Sequence, residues 1–263
     1  MNFLTIFLLI LLGVCSGGMT SLIGASAVMV VIPALSLGMN FTMHQAIGTS
    51  LMVDVIGSLA VSYSYFKHDN IDIKRGFWIA FGSIGGAQVG ALFASKIPAA
   101  GLGGSFGIFL ALFGVVMLLR GAKIAAKEPS PENLLKVHAR WQRILISIVI
   151  GFLLGIVSGL FGAGGGINFL LVLLFVVKLP LHKAIGTSTL IMAITALSGA
   201  IGHGARGNID LAVGLIVGVG TIIGGLPGAR FANRVSEKIL GRVTGLLFIF
   251  LGVAMTAILL MKK

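Results

Sequence analysis

The chain has 263 residues, of which 57% are hydrophobic and only 10% charged, against about 25% charged in a soluble domain. A surface so poor in charge, with a mean hydropathy of +1.10, excludes an ordinary water-soluble fold and makes lipid the expected solvent. The net charge of +12 does not mark a nucleic-acid partner, because Lys and Arg sit almost entirely between the apolar runs, where positive-inside sorting puts them.

The apolar runs are 2–38, 44–66, 73–95, 101–120, 141–176, 182–203, 210–232 and 239–260. Most are about 20 residues, enough to cross ~30 Å of hydrocarbon as helix. No Lys or Arg precedes the first run, as a signal peptide would need, so Met1 to Leu12 reads as a retained first span. Cys15 is the only cysteine, so no internal disulfide is expected. Runs 2–38 and 141–176 are about 36 residues, or ~54 Å as helix, which is too long for one span. Both are interrupted by glycine, at Gly17 to Ala27 and at Ser158 to Gly166. Glycine weakens helix and permits unusual dihedrals. Each long run therefore reads as two short helices joined by a break at membrane depth, tolerable only where it is buried in protein or lines a cavity.

A hydrophilic stretch from Arg120 to Arg143 divides the chain. It reads as a cytoplasmic linker over 121–143, with a short amphipathic helix around Asn133–Arg140, between membrane repeats at 1–120 and 144–263. The repeat itself is explicit. Adding 138 to a residue number in the first half gives its counterpart in the second, without gaps. His44-Gln45-Ala46-Ile47-Gly48-Thr49-Ser50 meets His182-Lys183-Ala184-Ile185-Gly186-Thr187-Ser188, and Asn70-Ile71-Asp72 meets Asn208-Ile209-Asp210.

Basic residues decide the orientation of the halves. If each long run crosses once, the halves are parallel, and the Lys and Arg outside the linker divide six inside to seven outside. If each crosses twice, the halves are inverted and the division is nine to four, which obeys the positive-inside rule. The expected fold class is all-α integral membrane: ten short spans in two inverted repeats of five, with both termini outside. Inverted repeats with broken helices are the architecture of secondary transporters, whose sites lie near the midplane. No Walker A or other nucleotide signature appears.

Three places can carry chemistry. The first is the pair of breaks: Gly24, Ala25 and Ser26 in one half, Gly162, Ala163, Gly164, Gly165 and Gly166 followed by Asn168 in the other. Unwound backbone exposes amides, and the helix that follows begins with a partial positive charge. An anion can dock there; alternatively the glycines serve only close packing. The second is Gly48, Thr49 and Ser50 with Gly186, Thr187 and Ser188. These hydroxyls near helix starts suit anionic oxygens, or else cap helices and bond their own backbone. The third is Asp54, the one carboxylate clearly inside an apolar run. It is a functional-site candidate by default and a candidate carrier of a coupling proton, or else a paired structural residue. Its counterpart, Met192, is apolar.

Other polar residues signal less. His44 and His182 lie at loop edges. Gln88, Tyr63, Tyr65 and His203 either line a path or satisfy backbone groups, while Arg206 and Arg230 sit near span ends and snorkel. The spacings suggest no metal site, no cofactor and no Ser-His-Asp or Cys-His set, so an enzyme is not expected. Small-xxx-small spacing at Gly82, Gly86 and Gly90 permits a homodimer, or packing within one subunit.

The stretch Ser158-Gly159-Leu160-Phe161-Gly162-Ala163-Gly164-Gly165-Gly166, followed by His182 to Ser188, resembles the sulfite exporter TauE/SafE family of membrane transporters. The resemblance covers nearly the whole chain. In the first half Ser21-Leu22-Ile23-Gly24-Ala25-Ser26-Ala27 replaces the triple glycine, while Pro33 and Ala46 to Ser50 fit. The resemblance implies a multi-pass protein of a bacterial inner membrane that moves small sulfur-containing anions such as sulfite, sulfoacetate or other organosulfonates. The residues by themselves support a small solute with a mild preference for an anion, carried by a transporter, a passive channel or, as a third reading, a non-transporting scaffold.

Overall fold

The structure is a computed structural model, and it describes residues 2–24, 26–98, 140–162 and 165–236 together with 239, 240, 242, 243 and 246. Among the described residues every regular element is helical, as lipid demands of backbone that must satisfy its own hydrogen bonds. In chain order the helices are α1 (Phe3–Ile23), α2 (Val28–Gly38), α3 (Met43–Phe66), α4 (Ile73–Ala94), α5 (Arg140–Phe161), α6 (Gly166–Leu171), α7 (Leu181–Gly204) and α8 (Leu211–Arg234). A π-helical turn, Val172–Val176, prolongs α6. Six of these helices, α1, α3, α4, α5, α7 and α8, are long and apolar enough to cross a membrane. The run at 101–120, most of the run at 239–260, and the linker up to residue 139 lie outside the described residues.

The starts of three spans follow from side chains that accept from orphan amides. Thr42 Oγ1 accepts from the Gln45 amide at 3.3 Å, completing a capping box at α3. Asp72 and Asp210, the last residues of the two Asn-Ile-Asp motifs, each accept at 3.0 Å from the amide three residues on, opening α4 and α8.

The closest packing runs through glycine. α1 lies against α8, and α4 against α5. A Cβ on Gly17 would strike the Thr221 carbonyl, and one on Gly155 would strike Ser83. Those two contacts are counterparts at the 138-residue offset. The stripe Gly82, Gly86 and Gly90 is seated on the backbones of Ile148, Phe152 and Ile156 in α5 of the same chain, so it serves packing within the subunit.

Large apolar side chains turn outward, among them Phe3, Phe7, Phe77, Phe81, Trp141 and Phe231. Serines and threonines turn inward instead. Many satisfy themselves on the preceding helical turn, as Thr20 Oγ1 does on the Ser16 carbonyl at 3.0 Å. Two apolar clusters fill the interior, one around Tyr65, Phe169 and Leu173, the other around Ile32, Ile47 and Leu51.

Candidate functional site

The first break spans the chain between α1 and α2. α1 ends where Gly24 turns left-handed, with φ +62, and its amide donates to the Thr20 carbonyl at 3.0 Å. Glycine suits this turn because it adopts positive φ without the strain a Cβ brings. The second break follows α5, with Gly162 at φ +63 and Gly165 at φ +68 before α6 begins. Gly24 and Gly162 are counterparts at the repeat offset. Ala25, Ala163 and Gly164 lie outside the described residues.

The two breaks meet. A Cβ on Gly166 would collide with the Gly24 carbonyl and the Met192 sulfur, and would lie 3.2 Å from the Ser26 amide nitrogen. A Cβ on Gly24 would lie 2.8 Å from Ser188 Oγ. Gly24, Ser26, Gly166 and Ser188 therefore come together, although they are scattered over the sequence. Gly165 is buried, and Asn168 is half-buried in the first turn of α6.

Asp54 closes the first break from the side. It is buried at the middle of α3. Its Oδ1 accepts from the Ala27 amide at 2.8 Å, and its Oδ2 accepts from the Ser26 hydroxyl. Ser26 Oγ in turn accepts from the Val28 amide at 3.2 Å. The Asp54 carboxyl group and the Ser26 hydroxyl thus give the amides at the start of α2 their acceptors. Met192 takes the equivalent place beside Gly166, so the second break has no internal carboxylate there.

The Gly-Thr-Ser segments form a reciprocal clasp. Thr49 Oγ1 accepts from the Asp210 amide at 3.0 Å, and Thr187 Oγ1 accepts from the Asp72 amide at 2.9 Å. Gly48 packs on the Asn208 carbonyl and Gly186 on the Asn70 carbonyl, each too close for a Cβ. The hydroxyls of Ser50 and Ser188 donate to Ile47 and Ile185 of their own helices at 2.8 Å and 2.9 Å. Each half therefore holds the Asn-Ile-Asp turn of the other.

Two contacts that sequence reasoning left undecided are also paired. Tyr65 Oη donates to the Ser21 carbonyl at 2.8 Å, and His203 Nε2 lies 3.0 Å from the Gly159 carbonyl. These are counterpart side chains on counterpart carbonyls, each three residues before a left-handed glycine. The signal lay in the offset, which places His203 opposite Tyr65. His44 and His182 likewise face the Ala94 and Ala232 carbonyls at 3.1 Å and 2.9 Å. No group of three or more His, Cys, Asp or Glu that could hold a metal occurs among the described residues.

Long apolar helices and an outward apolar surface define a multi-pass membrane protein. The chain belongs to the sulfite exporter TauE/SafE family, whose profile matches residues 9–255. It is similar to "Probable membrane transporter protein YdhB" of Bacillus subtilis, with 30% identity over 94% of this chain and 100% of that one. It is also similar to "Probable membrane transporter protein YunE" of the same organism, 26% identical over 93% of this chain and 95% of that one. A probable membrane transporter protein of Methanocaldococcus jannaschii is 27% identical over 93% of this chain and 94% of its own length. No solved structure matches the chain. The family and these relatives are named as transporters, and the chain is a membrane transporter.

Proposed function

We propose that the chain is a secondary transporter, working as an exporter, of a small sulfur-containing anion such as sulfite, sulfoacetate or an organosulfonate. Two inverted repeats, 1–120 and 144–263, joined by a cytoplasmic linker over 121–143, would rock about a site near the midplane of a bacterial inner membrane. The observation that carries this reading is the meeting of the two breaks, with Gly166 against the Gly24 carbonyl and the Ser26 amide. Discontinuous helices whose ends face one another are how secondary transporters hold a solute at membrane depth. The reciprocal clasp at Thr49 and Thr187 supports a two-fold relation between the halves, since each half makes the same contact with the other.

In this reading the anion binds amides and hydroxyls of Gly24 to Ser26, Gly48 to Ser50, Gly162 to Gly166, Asn168 and Gly186 to Ser188. The Thr and Ser hydroxyls of the Gly-Thr-Ser segments also hold the scaffold around that site. Asp54 carries a coupling proton: once protonated it keeps one carbonyl oxygen as acceptor for Ser26 and Ala27, so one of their two donors is released to the substrate. The substrate class comes from the family, and the preference for an anion from the helix starts.

Purified protein in liposomes tests the reading. Labelled sulfite or a sulfonate is expected to enter saturably and to exchange faster when unlabelled substrate is inside. Flux that neither saturates nor shows exchange acceleration would instead assign a passive anion channel, and no flux or binding of any sulfur oxyanion would refute both.

A further inference from the structure

The latch on the second break has a nitrogen left over. His203 is buried in the last turn of α7. A ring nitrogen that faces a carbonyl oxygen must carry the hydrogen, so Nε2 donates to Gly159 and Nδ1 of the neutral ring is a bare acceptor. Nδ1 is buried and has no hydrogen-bond partner among the described residues. Buried polar atoms are nearly always satisfied, and an exception calls for a reason. The latch alone supplies none, because Tyr65 makes the same contact in the first half with a single hydroxyl and nothing unpaired.

Among the described residues, one cation, Arg206, beyond the end of its own helix, and one further imidazole, His44 from α3, act on His203. Arg206 donates to the Gly202 carbonyl, and His44 faces the Ala94 carbonyl. From α4 comes the neutral Gln88, whose Nε2 donates to the Ser198 carbonyl and hydroxyl at 2.6 Å and 3.1 Å. From α5 comes the Gly159 carbonyl. At the opposite end of the repeat pair the counterparts of Gln88, Ser198 and His203 are Leu226, Ala60 and Tyr65. The polar cluster therefore has no counterpart in the other half, and it adjoins Gly48: His203 Cβ lies 3.2 Å from where a Cβ on Gly48 would stand.

We propose that His203 Nδ1 is where an incoming sulfur oxyanion and one proton are held together. The proton comes from solvent, no covalent bond of protein or substrate is broken, and the proton is shared between Nδ1 and an oxygen of the anion. A proton added to this buried ring near the Arg206 guanidinium needs a negative partner, and an anion entering an apolar bundle needs a positive one. Each therefore favours the entry of the other. The inference rests on the transporter reading and extends it, adding on the second break a protonation site distinct from Asp54 on the first.

Titration calorimetry of the detergent-solubilised full chain with sodium sulfite, repeated in buffers of different ionisation enthalpy, reads the protons taken up per anion bound. His203→Gln keeps an amide donor for the Gly159 carbonyl without a titratable group, and His203→Tyr copies the first half. Whichever variant keeps the wild-type melting temperature is used. It is expected to take up one proton fewer per anion and to bind sulfite about tenfold more weakly, while Asp54→Asn retains the His203 proton. A folded His203 variant with wild-type proton uptake, or loss of that same proton in Asp54→Asn alone, overturns the inference and leaves the transporter reading standing. A wild-type protein that binds no sulfur oxyanion removes the substrate reading first, and this inference with it.

Discussion

Replacing Asp54 separates a scaffold role from a coupling role. The carboxylate accepts from the Ser26 hydroxyl and the Ala27 amide, and it is buried. Asp54→Ala strands both donors at the start of α2, and each buried unsatisfied group costs about 1–3 kcal/mol. The sum is about 2–6 kcal/mol, partly offset by removing a carboxylate from an apolar interior. At ~2–4 °C per kcal/mol for a chain of this size, the melting temperature should fall by on the order of 10 °C. Asp54→Asn keeps one acceptor oxygen, and the Ser26 hydroxyl can turn to another, so a shift of only a few degrees is expected. The assay is thermal unfolding in detergent alongside sulfite flux driven by a pH gradient. Asp54→Asn should lose the pH-driven component and keep exchange between equal pH values. If Asp54→Ala melts with the wild type, the carboxylate does not hold α2 and the assigned hydrogen bonds are wrong. If Asp54→Asn keeps full pH-driven flux, proton coupling through this residue is refuted.

Other substitutions test the frame around the site. Gly86→Leu would drive a side chain into the Phe152 carbonyl region, and Gly155→Leu into Ser83; each should destabilise by about 1–3 kcal/mol or more through overpacking, read as lowered melting temperature. Gly24→Ala places a Cβ at φ +62 and 2.8 Å from Ser188 Oγ, so about 1–2 kcal/mol of backbone strain is expected, with a larger fractional loss of transport than of stability. Thr49→Val and Thr187→Val each remove the acceptor for an amide of the opposite half, at about 1–3 kcal/mol apiece. Their double-mutant cycle should be close to additive if the two clasps are separate. Tags at either terminus should be reached by impermeant reagents from outside the cell; cytoplasmic labelling would contradict the inverted arrangement.

The repeat was legible in the sequence because the Gly-Thr-Ser and Asn-Ile-Asp pairs share one gapless offset. Their use was not. The offset aligns Thr49 with Thr187, but the hydrogen bonds run from Thr49 to Asp210 and from Thr187 to Asp72. An internal repeat reveals which residues are equivalent, and folding decides which of them touch. Gly24 and Gly162, singled out as glycines in apolar runs, both adopt positive φ. That the two breaks lean on each other could not be read from the sequence, because Gly166 and the Gly24 carbonyl are brought together only by long-range packing. Asp54 stood out as a carboxylate among apolar residues, yet its partners Ser26 and Ala27 lie on another helix start, with no periodicity linking them. The glycine stripe in α4 announced a close approach without naming the partner, which proved to be α5 of the same chain.

Where the two halves agree and where they differ divides along a physical line. The agreeing contacts are backbone-level: glycine against carbonyl at Gly17 and Gly155, threonine against amide at Thr49 and Thr187, a ring donor against the carbonyls of Ser21 and Gly159. These set helix spacing and tether the breaks, so a pseudo-symmetric pair must keep them in both copies. The differences are in polar and titratable side chains, Asp54 against Met192, His203 against Tyr65, Gln88 against Leu226 and Ser198 against Ala60. A frame of two equivalent halves can adopt two arrangements of similar energy related by a pseudo-two-fold axis, as the proposed alternating access requires. A perfectly symmetric pair of breaks would offer a single anion two equal seats. If the proposed site is correct, the Asp54 carboxyl group on the first break and the His203 nitrogen beside the second, without a partner among the described residues, make the two seats unequal for an anion. One transported anion would therefore move about an off-centre site. Asp54→Asn, which removes the carboxyl group from the first seat, should then raise the number of sulfite ions bound per chain, and an unchanged stoichiometry would show that the asymmetry does not select the seat.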